Sequence, residues 1–196
     1  MKKTEQVFRE ILYQALEHKK RVLTQAGLSK ELGFSLSTIN LAVKKLERMN
    51  SISISGMNFK VIDPKKILYL WASERNLEKD IIYQTRADMP VREIEKSMPE
   101  ITYAAYSAYK LKFEEAAADY SEVYVYCDEN DLQDIKERFP ERNGPPNLFI
   151  LKKDDNMSRY SATGTLAQLF VDLWNLRQWY AADFLKALEA KMEMMI

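Results

Sequence analysis

The chain has 196 residues, 46% apolar and 30% charged, the composition of a folded globular protein rather than a disordered or fibrous one. Its 29 Lys and Arg balance its 29 Asp and Glu, which argues against a uniformly basic nucleic-acid coat. One cysteine, Cys127, excludes an internal disulfide, and one histidine, His18, leaves no ligand set for a His/Cys zinc site.

No run approaches the ~18 consecutive apolar residues of a membrane span. The N-terminus, MKKTEQVFREIL, lacks a signal-peptide core. The expectation is a cytoplasmic protein with no membrane partner. The zero net charge conceals an uneven distribution. Residues 1–66 carry 13 Lys/Arg against 6 Asp/Glu, a net of +7, and the remainder carries 16 against 23, a net of −7. A basic segment joined to an acidic one is the pattern of a nucleic-acid-binding module fused to a partner or sensor module. Lys19-Lys20-Arg21, Lys44-Lys45 and Lys65-Lys66 are the local basic clusters.

In chain order, Thr4 to His18 reads as an amphipathic helix with Val7, Ile11, Leu12, Ala15 and Leu16 on one side. Thr24 to Arg48 (TQAGLSKELGFSLSTINLAVKKLER) then has helix-turn-helix spacing. Its first helix carries Ala26, Leu28 and Leu32 inward. Gly33 permits the tight turn, because a residue without Cβ reaches φ > 0 at no steric cost. Phe34 is an apolar plug, and Ser35 is placed to cap the second helix. Ile39, Val43 and Leu46 recur at spacings of four and three, so one face of that helix is buried.

The opposite face offers Ser35, Ser37, Thr38, Asn40, Leu41, Lys44, Lys45 and Arg48, side chains suited to base edges and phosphates. SISIS at 51–55 alternates with period two, Gly56-Met57-Asn58 is turn chemistry, and Phe59 to Ile62 is a return strand. Asn58 and Lys60 are the hairpin residues that could reach a DNA backbone or minor groove. Residues 1–62 thus resemble the bacterial and archaeal winged-helix regulator superfamily, which implies double-stranded DNA as a partner.

Asp63-Pro64 opens a helix running to about Arg75, read as a connector. Beyond it the element types alternate. Strands are expected at 81–85, 122–127 (EVYVYC) and 146–152 (PNLFILK). Helices are expected at 90–97, within 99–113, at 130–139, 165–176 and 178–195, with a loop at 154–164. The division is 1–63 for DNA binding, 64–78 as connector and 79–196 as an α+β regulatory or partner-binding domain with a small sheet.

Several residues in this second part have two readings. Asp172 in an apolar helix is a buried hydrogen-bond acceptor, a cap or a metal ligand. Nucleotidyl transfer needs paired carboxylates around Mg²⁺ and a Gly-Ser turn for the triphosphate. Cys127-Asp128-Glu129-Asn130-Asp131 supplies acids, but no Gly-Ser motif precedes a strand, so it reads as a capped helix start. Tyr103, Tyr106, Tyr109, Tyr120, Tyr124 and Tyr126 either line a ligand pocket or form core with a polar edge. The expectation is a non-enzymatic protein without cofactor or metal.

The segment Thr165-Leu166-Ala167-Gln168-Leu169-Phe170-Val171-Asp172-Leu173-Trp174, the following Tyr180-Ala181-Ala182, and the preceding YAAYSA helix and PNLFIL strand resemble the C-terminal part of AbiEi-type antitoxin regulators. That resemblance covers roughly residues 81–190. It implies a degenerate nucleotidyltransferase-like fold, autorepression, and a separate nucleotidyltransferase-like toxin as partner. The combined expectation is a transcriptional repressor acting by operator occupancy. A two-fold operator would require a homodimer. The alternatives are a ligand-sensing repressor and a nucleotidyltransferase-fold enzyme with a DNA-binding anchor.

Overall fold

The computed structural model describes residues 1–193. Helix α1 (Lys3–Leu16) leads through a basic loop to a short strand, β1 (Val22–Thr24). Helix α2 (Gln25–Leu32) follows, its N-terminus capped by Thr24, whose Oγ1 accepts from Gly27 N at 2.9 Å. Gly33 ends α2 with φ +68°. Ser35 then caps α3 (Leu36–Arg48), its Oγ accepting from Thr38 N. Strands β2 (Ile52–Ser55) and β3 (Asn58–Val61) form a hairpin, and β1 adds to its other side in the antiparallel order β1-β3-β2.

Two local expectations are corrected here. Strand β1 was not foreseen, because three residues are too few for a period-two signal. Ala26 is exposed rather than inward, leaving Leu28 and Leu32 to hold α2 to the core.

Helix α4 (Pro64–Glu74) starts at the Asp63 cap, and a 3₁₀ turn (Leu77–Asp80) delivers the chain to β4 (Ile81–Thr85). Then come α5 (Val91–Lys96), β5 (Thr102–Ala104), α6 (Ala105–Phe113), β6 (Val123–Cys127) and α7 (Glu129–Arg138). Strand β7 (Leu148–Lys152), α8 (Leu166–Trp174) and α9 (Ala181–Glu193) complete the described chain. The second sheet has the order β4-β7-β6-β5, with β6 and β7 parallel and both outer pairs antiparallel. The protein is therefore mixed α+β with two small sheets.

The helix expected within 99–113 is in fact a strand followed by a helix. Thr102–Ala104 pairs with β6, and Ala105 turns the chain at φ +48°, a left-handed conformation that alanine seldom adopts. The alanine-rich composition favours helix throughout, and pairing with β6 overrides it locally. The last expected helix begins at Ala181 rather than Gln178, and its expected residues 194–195 lie outside the described ones.

Two cores hold these elements. The smaller lies under α5 and α7, on one face of the second sheet, around Val123, Val125, Leu148, Ile150, Ile94 and Ile135. The larger is continuous from α1 through α3 and α4 to α6, α8 and α9. Helix α1 packs against α3, α4 and α8 at once. The expectation of a one-sided amphipathic helix is corrected accordingly. Glu5, Gln6, Arg9 and Glu10 are buried along with Val7, Phe8, Ile11 and Leu12.

Buried polar groups need partners, and most of those of α1 find them in distant segments, Arg9 Nε being buried without one among the described residues. Arg9 donates to both Asp154 oxygens at 2.9 and 2.7 Å, to Gln168 Oε1 at 3.3 Å, and lies 4.8 Å from the Tyr160 ring centroid. Glu5 accepts from Trp71 Nε1 at 3.2 Å and from Arg75 Nη1 at 3.4 Å. Glu10 accepts from Tyr160 OH at 2.6 Å. The loop read at 154–164 thereby becomes a strap across α1 and α2. Its Asn156 and Arg159 donate to the carbonyls of Leu32 and Glu31, two groups the α2 C-terminus leaves unpaired.

Candidate nucleic-acid interface

The buried face of α3 is set by Ile39, Ala42, Val43 and Leu46, all fully covered. The helical period then fixes what faces outward. Ser37, Leu41, Lys44 and Arg48 follow one another at spacings of four, three and four, and all are exposed. They form a single outward row along the helix. Lys44 and Arg48 make no salt bridge among the described residues, so their charges remain available to an anion. On the hairpin, Asn58 and Lys60 are exposed on β3 while Phe59 and Val61 are buried. Met57, at the turn beside Gly56 (φ +59°), is almost fully exposed.

Other members of the expected set are engaged within the protein. Asn40 Nδ2 donates to Gln25 Oε1 at 3.0 Å, which ties the flank of α3 to the start of α2. Lys45 forms an ion pair with Glu74 at the end of α4. Ser35 Oγ lies 2.9 Å from both Ser37 Oγ and Thr38 Oγ1, a hydroxyl cluster at the α3 N-terminus. One exposed residue was missed by sequence reading. Leu36, the first residue of α3, is 56% exposed. Leu36 continues the three-and-four spacing of Ile39, Val43 and Leu46, so periodicity points it inward, yet in the first turn of α3 it is left uncovered.

The turn geometry rests on a few atoms. Gly33 N and Phe34 N both donate to Ser29 O, and Ser29 Oγ returns a bond to Phe34 O at 2.6 Å. Phe34 packs against the larger core, with the Lys3 ammonium 5.3 Å from its ring centroid. These contacts hold α2 and α3 at a fixed angle.

The remaining candidates fall elsewhere. Asp172 is a buried acceptor in the centre of the molecule. It takes the Tyr126 hydroxyl at 2.8 and 2.9 Å and Gln168 Nε2 at 2.8 Å. Tyr126 OH in turn accepts from Arg75 Nη2 at 3.3 Å. Burial pushes the Asp172 carboxyl up to about 6, against the opposing pull of Arg75, Tyr126 and Gln168. Asp128 caps α7, accepting from the backbone of Asn130 and Asp131. Burial pushes the Cys127 thiol up to about 12, with Asp131 and Asp128 adding to the shift. Among the described residues, no group of three or more His, Cys, Asp or Glu is placed to hold a metal ion. No helix among them is long and apolar enough to cross a membrane.

The six tyrosines are mostly core. Tyr106, Tyr109 and Tyr126 are fully buried, and Tyr106 packs its ring against Tyr120, Tyr180 and Phe184. Of the six, Tyr124 lines a large cleft among the described residues. That cleft, about 670 Å³, lies between β4 and the α8–α9 turn, with Tyr124 stacked face to face on Phe149 at 4.5 Å. Glu78 and Arg177, both in the lining, pair at 3.1 Å. No family model matches this chain, and no curated protein matches it in sequence.

Proposed function

We propose that this protein is a DNA-binding transcriptional regulator in which residues 1–63 act as a winged helix-turn-helix. The observation that carries the reading is the outward row Ser37–Leu41–Lys44–Arg48, with two unpaired cations, on a helix whose opposite face is fully buried. The order helix, strand, helix, helix, hairpin supports it, since α3 keeps one face exposed and packs against β2 of the hairpin. In this reading α3 enters a major groove, Lys44, Arg48 and Lys60 neutralise phosphates, and occupancy of the site represses transcription.

The test is selection of bound duplexes from a random pool, followed by salt titration of the winning sequence. Wild-type affinity should fall steeply with salt. Lys44→Ala and Arg48→Ala should each flatten the logarithmic slope by about one. Failure to select any duplex, or a slope unchanged in both variants, would refute the reading.

The AbiEi resemblance carries a narrower version, in which the regulator also neutralises a nucleotidyltransferase-like toxin. Co-expression with the product of a neighbouring toxin gene tests that version, and continued toxicity would sink it. The cleft over Tyr124 and Phe149 favours a ligand-sensing repressor as the second reading. Its volume lies in the range of small-molecule sites, and both a stacked aromatic pair and polar side chains line it.

A further inference from the structure

We propose that Leu41 reads the C5-methyl group of a thymine, so that the preferred duplex favours an A·T pair opposite the middle of α3. The inference rests on the DNA-binding reading and names what the outward row can distinguish.

Elimination supplies the argument. Of the polar side chains on α3, Asn40 is bonded to Gln25, Lys45 pairs at the surface with Glu74, Thr38 shares its hydroxyl with Ser35, and exposed Glu47 carries a charge that the phosphates repel. Ser37 shares its hydroxyl with Ser35, at the N-terminal end of the helix. Lys44 and Arg48 remain, toward the C-terminal half. Between them and Ser37, the central position of the row is Leu41, 65% exposed. An alkyl side chain makes no hydrogen bond. The feature of a major-groove edge it can select is the thymine methyl, and contact with it removes apolar surface from water on both partners. The adjacent cations hold the helix against the backbone, which allows the alkyl contact to form without being strong in itself.

The experiment uses the full chain and the duplex recovered from random-pool selection, with each thymine singly replaced by deoxyuridine. That change removes one methyl and leaves every hydrogen-bonding group in place. Wild type should lose about fourfold in affinity at one thymine per bound helix, the value of one buried methyl. Leu41→Ala should bind the thymine and uracil duplexes equally, near the wild-type affinity for uracil. Leu41 belongs to the exposed face, so the variant keeps the fold, and an unchanged melting temperature would register this. The proposal is overturned if no thymine is sensitive while wild type binds tightly. It is equally overturned if Leu41→Ala still discriminates thymine from uracil. Recovery of no duplex at all would overturn the DNA-binding reading, and this assignment with it.

Discussion

Arg9→Met tests the claim that the basic and acidic parts of the chain are locked together by a buried ion pair. The guanidinium is fully covered, and Asp154, its partner 145 residues away, is nearly so. Removing one partner of a buried pair leaves the other charge without compensation, at a cost of about 3–5 kcal/mol. The native state as a whole is worth only about 5–15 kcal/mol. Methionine fills much of the arginine stem's volume, so the loss reports the charge rather than a cavity. Asp154→Leu alone should be comparably costly. The double variant should recover much of the loss, with a coupling energy of about 2 kcal/mol or more. The assay is urea unfolding at pH 7, followed by far-ultraviolet circular dichroism and tryptophan fluorescence. Trp71 is buried on α4 and Trp174 ends α8, two helices that pack against α1, so fluorescence reports on the core around Arg9. A loss below about 1 kcal/mol for Arg9→Met would refute the reasoning. So would an equal loss whether or not Asp154 is present.

Asp172 makes stability depend on pH with a definite sign. Its carboxyl titrates near 6 when folded, above the value of about 4 in an unfolded chain, so the folded state binds the proton more tightly. Its contribution is present in full below about pH 4, falls as pH rises to about 6, and is level above that. The drop is on the order of 3 kcal/mol. In the difference between wild type and Asp172→Asn this slope should be the main feature, and identical pH profiles would refute it. Gly33→Ala meets no neighbouring atom, but alanine at φ +68° is strained by about 1–2 kcal/mol. For a chain of this size a lowering of the melting temperature by a few degrees is expected, and an unchanged or raised value would contradict the left-handed turn. Cys127 should resist iodoacetamide at pH 8 in the native protein and react once urea unfolds it. Rapid native alkylation, followed by mass spectrometry, would refute its burial.

Spacing and capping chemistry made the local elements legible. Gly33, the Ser35 cap and the three-and-four recurrence of Ile39, Val43 and Leu46 specify two helices and a tight turn from neighbours a few residues apart. The Asp63-Pro64 start and the aromatic, β-branched run at 123–127 are equally local signals. The charge division was also plain, since it is only a count along the chain.

What the sequence could not supply was partnership over distance. Nothing near Asn40 or Lys45 says that Gln25 and Glu74 will occupy them, so the expected interface was wider than the row left free. Nothing near Arg9 indicates that its carboxylate lies 145 residues away, or that α1 is covered on every side. At Thr102–Ala104 local propensity pointed to helix, and pairing with Tyr124–Tyr126 decided for strand. Helical period, caps and turns depend on residues within four or five positions of one another. Which polar groups are consumed inside, and which remain to meet a partner, depends on segments that only folding brings together.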